Sequence, residues 1–125
     1  GARKMLNAWQ NMQPMHNHKN YVTTFDQMGL MIRVDHENWI KAGVEYVNGK
    51  QNVSAVVTHK TSDWSVVELD KAPRSIWIKA VRKLDAVEIF FSLDDKKYTM
   101  MRTCWLQDNC PVMVGDLKLS LKIFR

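Results

Sequence analysis

Trp39-Ile-Lys-Ala-Gly-Val-Glu-Tyr-Val47, Asn48-Gly49 and Lys50-Gln-Asn-Val-Ser-Ala-Val-Val-Thr58 form the stretch that decides the fold. Asn-Gly between two alternating runs is a strong hairpin signal, because both turn residues must take positive φ. A two-residue turn also fixes the register. Val47 then faces Lys50, Glu45 faces Asn52, Gly43 faces Ser54, Lys41 faces Val56 and Trp39 faces Thr58. On the other face Val44 meets Val53, Ala42 meets Ala55 and Ile40 meets Val57. One face is apolar and the other carries Trp39, Lys41, Glu45, Asn52 and Ser54. A polar strand face with a tryptophan in it is a candidate site.

Working outward, period two continues on both sides. Met28, Leu30, Ile32 and Val34 alternate with Gly29, Met31 and Arg33. Asp35-His36-Glu37-Asn38 turns this run into the strand that starts at Trp39. A three-residue loop with Asn38 in the left-handed region would put Val34 beside Ile40 and Ile32 beside Ala42. Arg33 then joins the polar face near Lys41. Downstream, a polar connection at Ser62-Asp63-Trp64-Ser65 precedes short strands at Val66–Leu69, Ser75–Arg82, Ala86–Ser92, Tyr98–Trp105, Val112–Val114 and Leu117–Ile123. Short strands at this spacing predict an all-β, antiparallel sandwich. Residues 1–20 lack the alternation. They read either as a short helix over Lys4–Gln13, ended by Pro14, or as a tail. The expected organisation is therefore an N-terminal segment, 1–20, and a β-sandwich domain, 21–125.

Composition narrows the class. With 125 residues, 46% hydrophobic and 25% charged, the chain is of ordinary globular type. No apolar run approaches the roughly 20 residues of a membrane helix. Arg3 and Lys4 are not followed by an apolar segment of signal-peptide type. Two cysteines, Cys104 and Cys110, fit a reducing compartment, so the expected location is cytoplasmic; a disulfide across a short loop is the alternative. The net charge of +5 is spread along the chain, as on a solvated strand face rather than a nucleic-acid patch.

Three runs carry a resemblance: Phe25 to Asp35, Glu37 to Tyr46, and Val56-Val-Thr with Thr61-Ser-Asp-Trp-Ser-Val66. With Trp77–Arg82, Ala86–Ser92, Arg102 and Pro111 to Gly115, they resemble the regulation-of-enolase-protein family over roughly residues 21 to 115. The resemblance implies a concanavalin A-like jelly roll. Two departures stand out. Family members carry further strands before the position of Tyr21, and a Ser-Pro turn with a last strand after that of Gly115. The chain thus resembles a shortened member. Its open edge would be completed by a second copy, giving a homodimer.

The candidate binding residues are Arg33, Trp39, Lys41 and Glu45, with Asp63 and Trp64 from the next segment; the resemblance points to the same positions. An aromatic ring flanked by carboxylate, cation and amide groups suits a carbohydrate or a similar small polar ligand. The plainer alternative is that both tryptophans cap the core while Lys41 and Glu45 pair at the surface, worth only ~0–1 kcal/mol. A regulatory protein-interaction module is a second reading. A glycosidase using Glu45 and Asp63 is a third, since such enzymes place two carboxyl groups roughly 5–10 Å apart. Against it, the acidic motif of concanavalin A-like hydrolases is absent; Asp85-Ala-Val-Glu88 is the nearest text. No metal or cofactor is expected: His16-Asn-His18 lacks a third ligand nearby, and Asp94-Asp95 and Asp108-Asn109 read as turns. A nucleic-acid partner is disfavoured because Glu37, Glu45 and Asp63 lie beside the cations.

Overall fold

The computed structural model describes residues 16–18, 21–25, 29–106 and 117–122, with side chains for 29–106, Lys118 and Ser120. Their ten strands are β1 (His16–His18), β2 (Tyr21–Phe25), β3 (Gly29–Asp35), β4 (Asn38–Val47) and β5 (Lys50–His59), then β6 (Thr61–Glu68), β7 (Ser75–Lys83), β8 (Ala86–Ser92), β9 (Thr99–Trp105) and β10 (Leu117–Lys122). They form two antiparallel sheets. The first runs β1-β2-β3-β4-β5-β6 in chain order, and the second runs β10-β7-β8-β9. The expected all-β sandwich is therefore present. The helix expected over Lys4–Gln13, the strand at Val112–Val114 and Cys110 lie outside the described residues.

The β4–β5 hairpin has the register read from its turn, from Val47–Lys50 to Trp39–Thr58. Asn48 (φ 53°) and Gly49 (φ 75°) both take the left-handed conformation that a type I′ turn requires. Two other expectations shift. The β3–β4 connection is a two-residue turn, with Asp35 opposite Asn38 and a bulge between Arg33 and Asp35. Leu30 therefore pairs with Ala42 and Ile32 with Ile40, two residues from the expected register. The slip is even, so the faces are unchanged. Asn38 does not take positive φ; it donates through Nδ2 to the Asp35 carboxylate, at 3.0 and 3.2 Å. Glu37 N–H donates to Asp35 Oδ1 (2.8 Å), which holds that carboxyl below its usual pKa. Asp35 thereby supplies the turn chemistry that the extra loop residue was expected to supply.

The second shift lies at Ser62-Asp63-Trp64-Ser65, which is strand rather than connection. The chain reverses at Lys60 (φ 66°), whose N–H donates to Glu37 O (2.7 Å), and β6 starts at Thr61. Residues 16–18 pair with β2.

Alternation closes the core. Leu30, Ile32, Ile40, Ala42, Val53, Ala55 and Val57 of the first sheet face Ile76, Ile78, Ala80, Val87, Ile89 and Phe91 of the second, all buried. Each branched side chain removed from water contributes about 1.5–3 kcal/mol. The sheets are also joined along one side. Arg102 of β9 donates through Nη1 to Ser65 Oγ and lies 3.8 Å from the Asp63 carboxylate, both on β6.

Cys104 closes the core beneath Val87, whose carbonyl is 3.7 Å from its Sγ. Burial pushes this thiol up to about 11. A thiol pKa raised on folding stabilises the native state below the unfolded value of 9.0, and that contribution is lost as pH rises toward 11. Wild type is expected to lose on the order of 2 kcal/mol relative to Cys104→Ala between pH 8 and 11. Urea denaturation at the two pH values checks this. At pH 8 iodoacetamide should leave the native Cys104 peptide unmodified by mass spectrometry.

Candidate functional site on the outer sheet face

The same alternation that fills the core sends a second set of residues to the outer face of the first sheet. Four cross-strand rows define it. Arg33, Trp39, Thr58 and Ser62 form one, and Met31, Lys41, Val56 and Trp64 the next. Gly29, Gly43, Ser54 and Val66 follow, then Glu45, Asn52 and Glu68. Five of the six expected residues share this face: Arg33, Trp39, Lys41, Glu45 and Trp64.

Asp63 does not. It pairs with Val57, a core-facing residue, so the two-residue period turns it to the opposite side of β6. There its side chain is 78% exposed and faces Arg102. In a connection Asp63 and Trp64 could share a side; in the strand Thr61–Glu68 they cannot. Glu45 and Asp63 thus lie on opposite faces of one sheet and cannot flank one bond, which removes the carboxylate pair of the glycosidase reading.

The outer face is not an open polar surface. Trp39, Lys41, Glu45, Ser54 and Thr58 are all buried, and Lys41 is 0% exposed. The Lys41 ammonium lies 4.4 Å from the centroid of the Trp39 ring. This is a cation–π contact in a desolvated setting, of the kind worth about 2 kcal/mol. Thr58 and Ser62 hydroxyls meet at 2.8 Å.

Trp64 is different, being 44% exposed. Its indole Nε1–H donates to Glu45 Oε1 at 2.9 Å. To do so the side chain passes the Gly43–Ser54 row, where both side chains are small. The other carboxylate oxygen, Glu45 Oε2, is buried and has no hydrogen-bond partner among the described residues. A buried charged acceptor left unpaired costs at least about 1–3 kcal/mol. Trp64 is thus an exposed ring held in place by a carboxylate that keeps one acceptor free.

Arg33 stands opposite Trp39 at the rim, half-buried. Among the described residues no three His, Cys, Asp or Glu side chains cluster as a metal site. Asp94 instead orders its own turn: it accepts from the N–H groups of Lys96 (2.9 Å) and Lys97 (3.0 Å) and from Ser92 Oγ, bonds that hold its carboxyl below the usual range.

Two antiparallel sheets with a buried lysine–tryptophan pair and a carboxylate-anchored tryptophan define a β-sandwich protein with one polar–aromatic sheet face. The chain belongs to the family described as "Protein of unknown function (DUF1349)", whose model matches residues 13–118. It is 30% identical over 98 residues to Regulation of enolase protein 1 of Saccharomyces cerevisiae, covering 78% of this chain and 50% of that protein. An uncharacterized protein of Emericella nidulans is 27% identical over 70 residues, covering 53% of this chain and 35% of its own length. Among solved structures, that of a functionally unknown protein from Saccharomyces cerevisiae superposes with a TM-score of 0.59 at 24% identity. The match covers 82% of this chain and 55% of that one, and it supports the sandwich fold. The chain spans about half the length of the yeast relative it matches. No helix among the described residues is long and apolar enough to cross a membrane.

Proposed function

We propose that the outer face of the first sheet is a non-catalytic binding surface for a carbohydrate or a similar small polar ligand. The observation that carries this is the free acceptor of Glu45 beneath the exposed, fixed ring of Trp64. A pyranose stacked on Trp64 would place a hydroxyl donor above Glu45, whose buried Oε2 accepts it once the groups covering that oxygen part. Arg33 at the rim supplies donors, while Trp39 and Lys41 act from below as the rigid floor. Asp63 has no part in it. In the concanavalin A-like architecture that the sequence resembles, this face would be the concave sheet. The compartment proposed for this activity is the cytoplasm.

Tryptophan fluorescence titration with neutral oligosaccharides tests the reading. A bound sugar should quench or shift Trp64 emission, and the response should vanish in Trp64→Ala. Affinity should hold between 50 and 500 mM salt, whereas an oligonucleotide would be lost steeply over that range. No sugar response in wild type, or an unchanged one in Trp64→Ala, would sink the proposal.

A second reading, a protein-interaction or regulatory module, is favoured by β6. Among the described strands it ends the first sheet, and it exposes Trp64, Val66 and Val67. A second copy pairing along β6 would cover them and give the homodimer. Light scattering should then report twice the chain mass, and a charge placed at Val66→Lys should return it to the monomer mass.

A further inference from the structure

The inner face of the β4–β5 hairpin does not stay apolar to its end. Beyond Val44 and Val53, the next pair on that face is Tyr46 with Gln51. Gln51 is 3% exposed, and both its amide nitrogen and its amide oxygen are buried with no hydrogen-bond partner among the described residues. Leaving either group buried and unpaired costs stability, so a leucine there would serve the fold better. The strand is also held firmly, since Gln51 O accepts from Leu69 N–H at 3.0 Å.

Gln51 lines a cleft of about 430 Å³ at this end of the sandwich, within the range of small-molecule sites. Tyr46, 48% exposed, lines it too and offers a ring face. The charged residues around it balance: Lys50 and Lys71 against Glu68 and Asp70, with Lys50 Nζ 3.2 Å from the Glu68 carboxylate.

We propose that this cleft is a second binding site, for an uncharged planar heterocycle whose edge carries a hydrogen-bond donor beside an acceptor. A primary amide presents one donor and one acceptor side by side in one plane. Its complement is another such edge, as in a carboxamide or the amino-purine edge that glutamine reads bidentately in nucleic acids. Tyr46 provides a ring for stacking, and the balanced charge selects against a phosphorylated ligand. Gln51 and Tyr46 lie on the opposite face of the sheet from Glu45 and Trp64, and the proposal does not rest on the reading of that face.

Adenosine is the probe, followed by two-dimensional ¹H–¹⁵N NMR of the side-chain amides. Adenosine should shift the Gln51 amide pair, and N6,N6-dimethyladenosine, which lacks the donor, should bind at least tenfold more weakly. Gln51→Leu should lose adenosine binding at least tenfold while melting no lower than wild type. Tyr46→Ala, which leaves the amide in place, should also weaken binding. No shift of the Gln51 amide with adenosine overturns the proposal. So does equal binding of the dimethylated probe, or a Gln51→Leu protein that melts well below wild type, since the amide would then serve the fold.

Discussion

Replacing Gly29 by alanine is expected to lower stability by about 3–5 kcal/mol, a large share of the total for a domain of this size. Gly29 pairs with Gly43 across β3 and β4, at φ 156°. A Cβ there would lie 2.0 Å from Ala42 O and 2.8 Å from the Gly43 Cα. Both are backbone atoms of the central strand, so the clash cannot be relieved by a rotamer change. It can be relieved only by parting β3 from β4, which carry Leu30, Ile32, Ile40 and Ala42 into the core. A fall in melting temperature of roughly 10–20 °C is the corresponding readout. Gly49→Ala is the control. Its Cβ would meet nothing within 4 Å, and only the left-handed φ is disfavoured, at a cost of about 1–2 kcal/mol. Equal losses in the two variants would mean that the close approach at Gly29 does not constrain the sheet.

Lys41→Ala is expected to cost about 2–4 kcal/mol, because it empties the space of a fully buried side chain under Trp39 and ends the cation–π contact. Lys41→Met separates stem from charge. It keeps most of the packing, and the lost cation–π contact is offset by no longer burying an ammonium, so it should cost clearly less in urea denaturation. Both variants should bind polar ligands at least tenfold more weakly if the buried charge serves recognition. Equal destabilisation by Ala and Met would show instead that the ammonium itself holds the sheet together.

Much of this was legible from alternation. Asn48-Gly49 set the β4–β5 register, and that register placed Trp39, Lys41 and Glu45 on one face. What escaped depended on local chemistry or on contacts distant in sequence. The β3–β4 turn was misjudged because the Asp35 carboxylate satisfies the backbone there, a role that Asn38 was expected to fill through its own backbone. Asp63 was misplaced because a reversal at Lys60 (φ 66°), a residue with no turn preference, lets β6 begin at once. The burial of Trp39 and Lys41 is a tertiary outcome that period two cannot show. Gln51 was legible in principle: a glutamine at an inward position next to Val53 breaks the apolar pattern on the same face.

The claim that most depends on these contacts is that Glu45 keeps an acceptor for a ligand hydroxyl. A glycan array probed with wild type and with Glu45→Gln tests it most directly, with thermal melts alongside. Gln can still accept from Trp64 Nε1–H, so the two proteins should melt within about 1 kcal/mol of each other. Wild type should retain a defined set of neutral glycans, and Glu45→Gln should lose them at least tenfold. An array on which wild type retains nothing, or on which both proteins retain the same glycans equally well, would contradict the account.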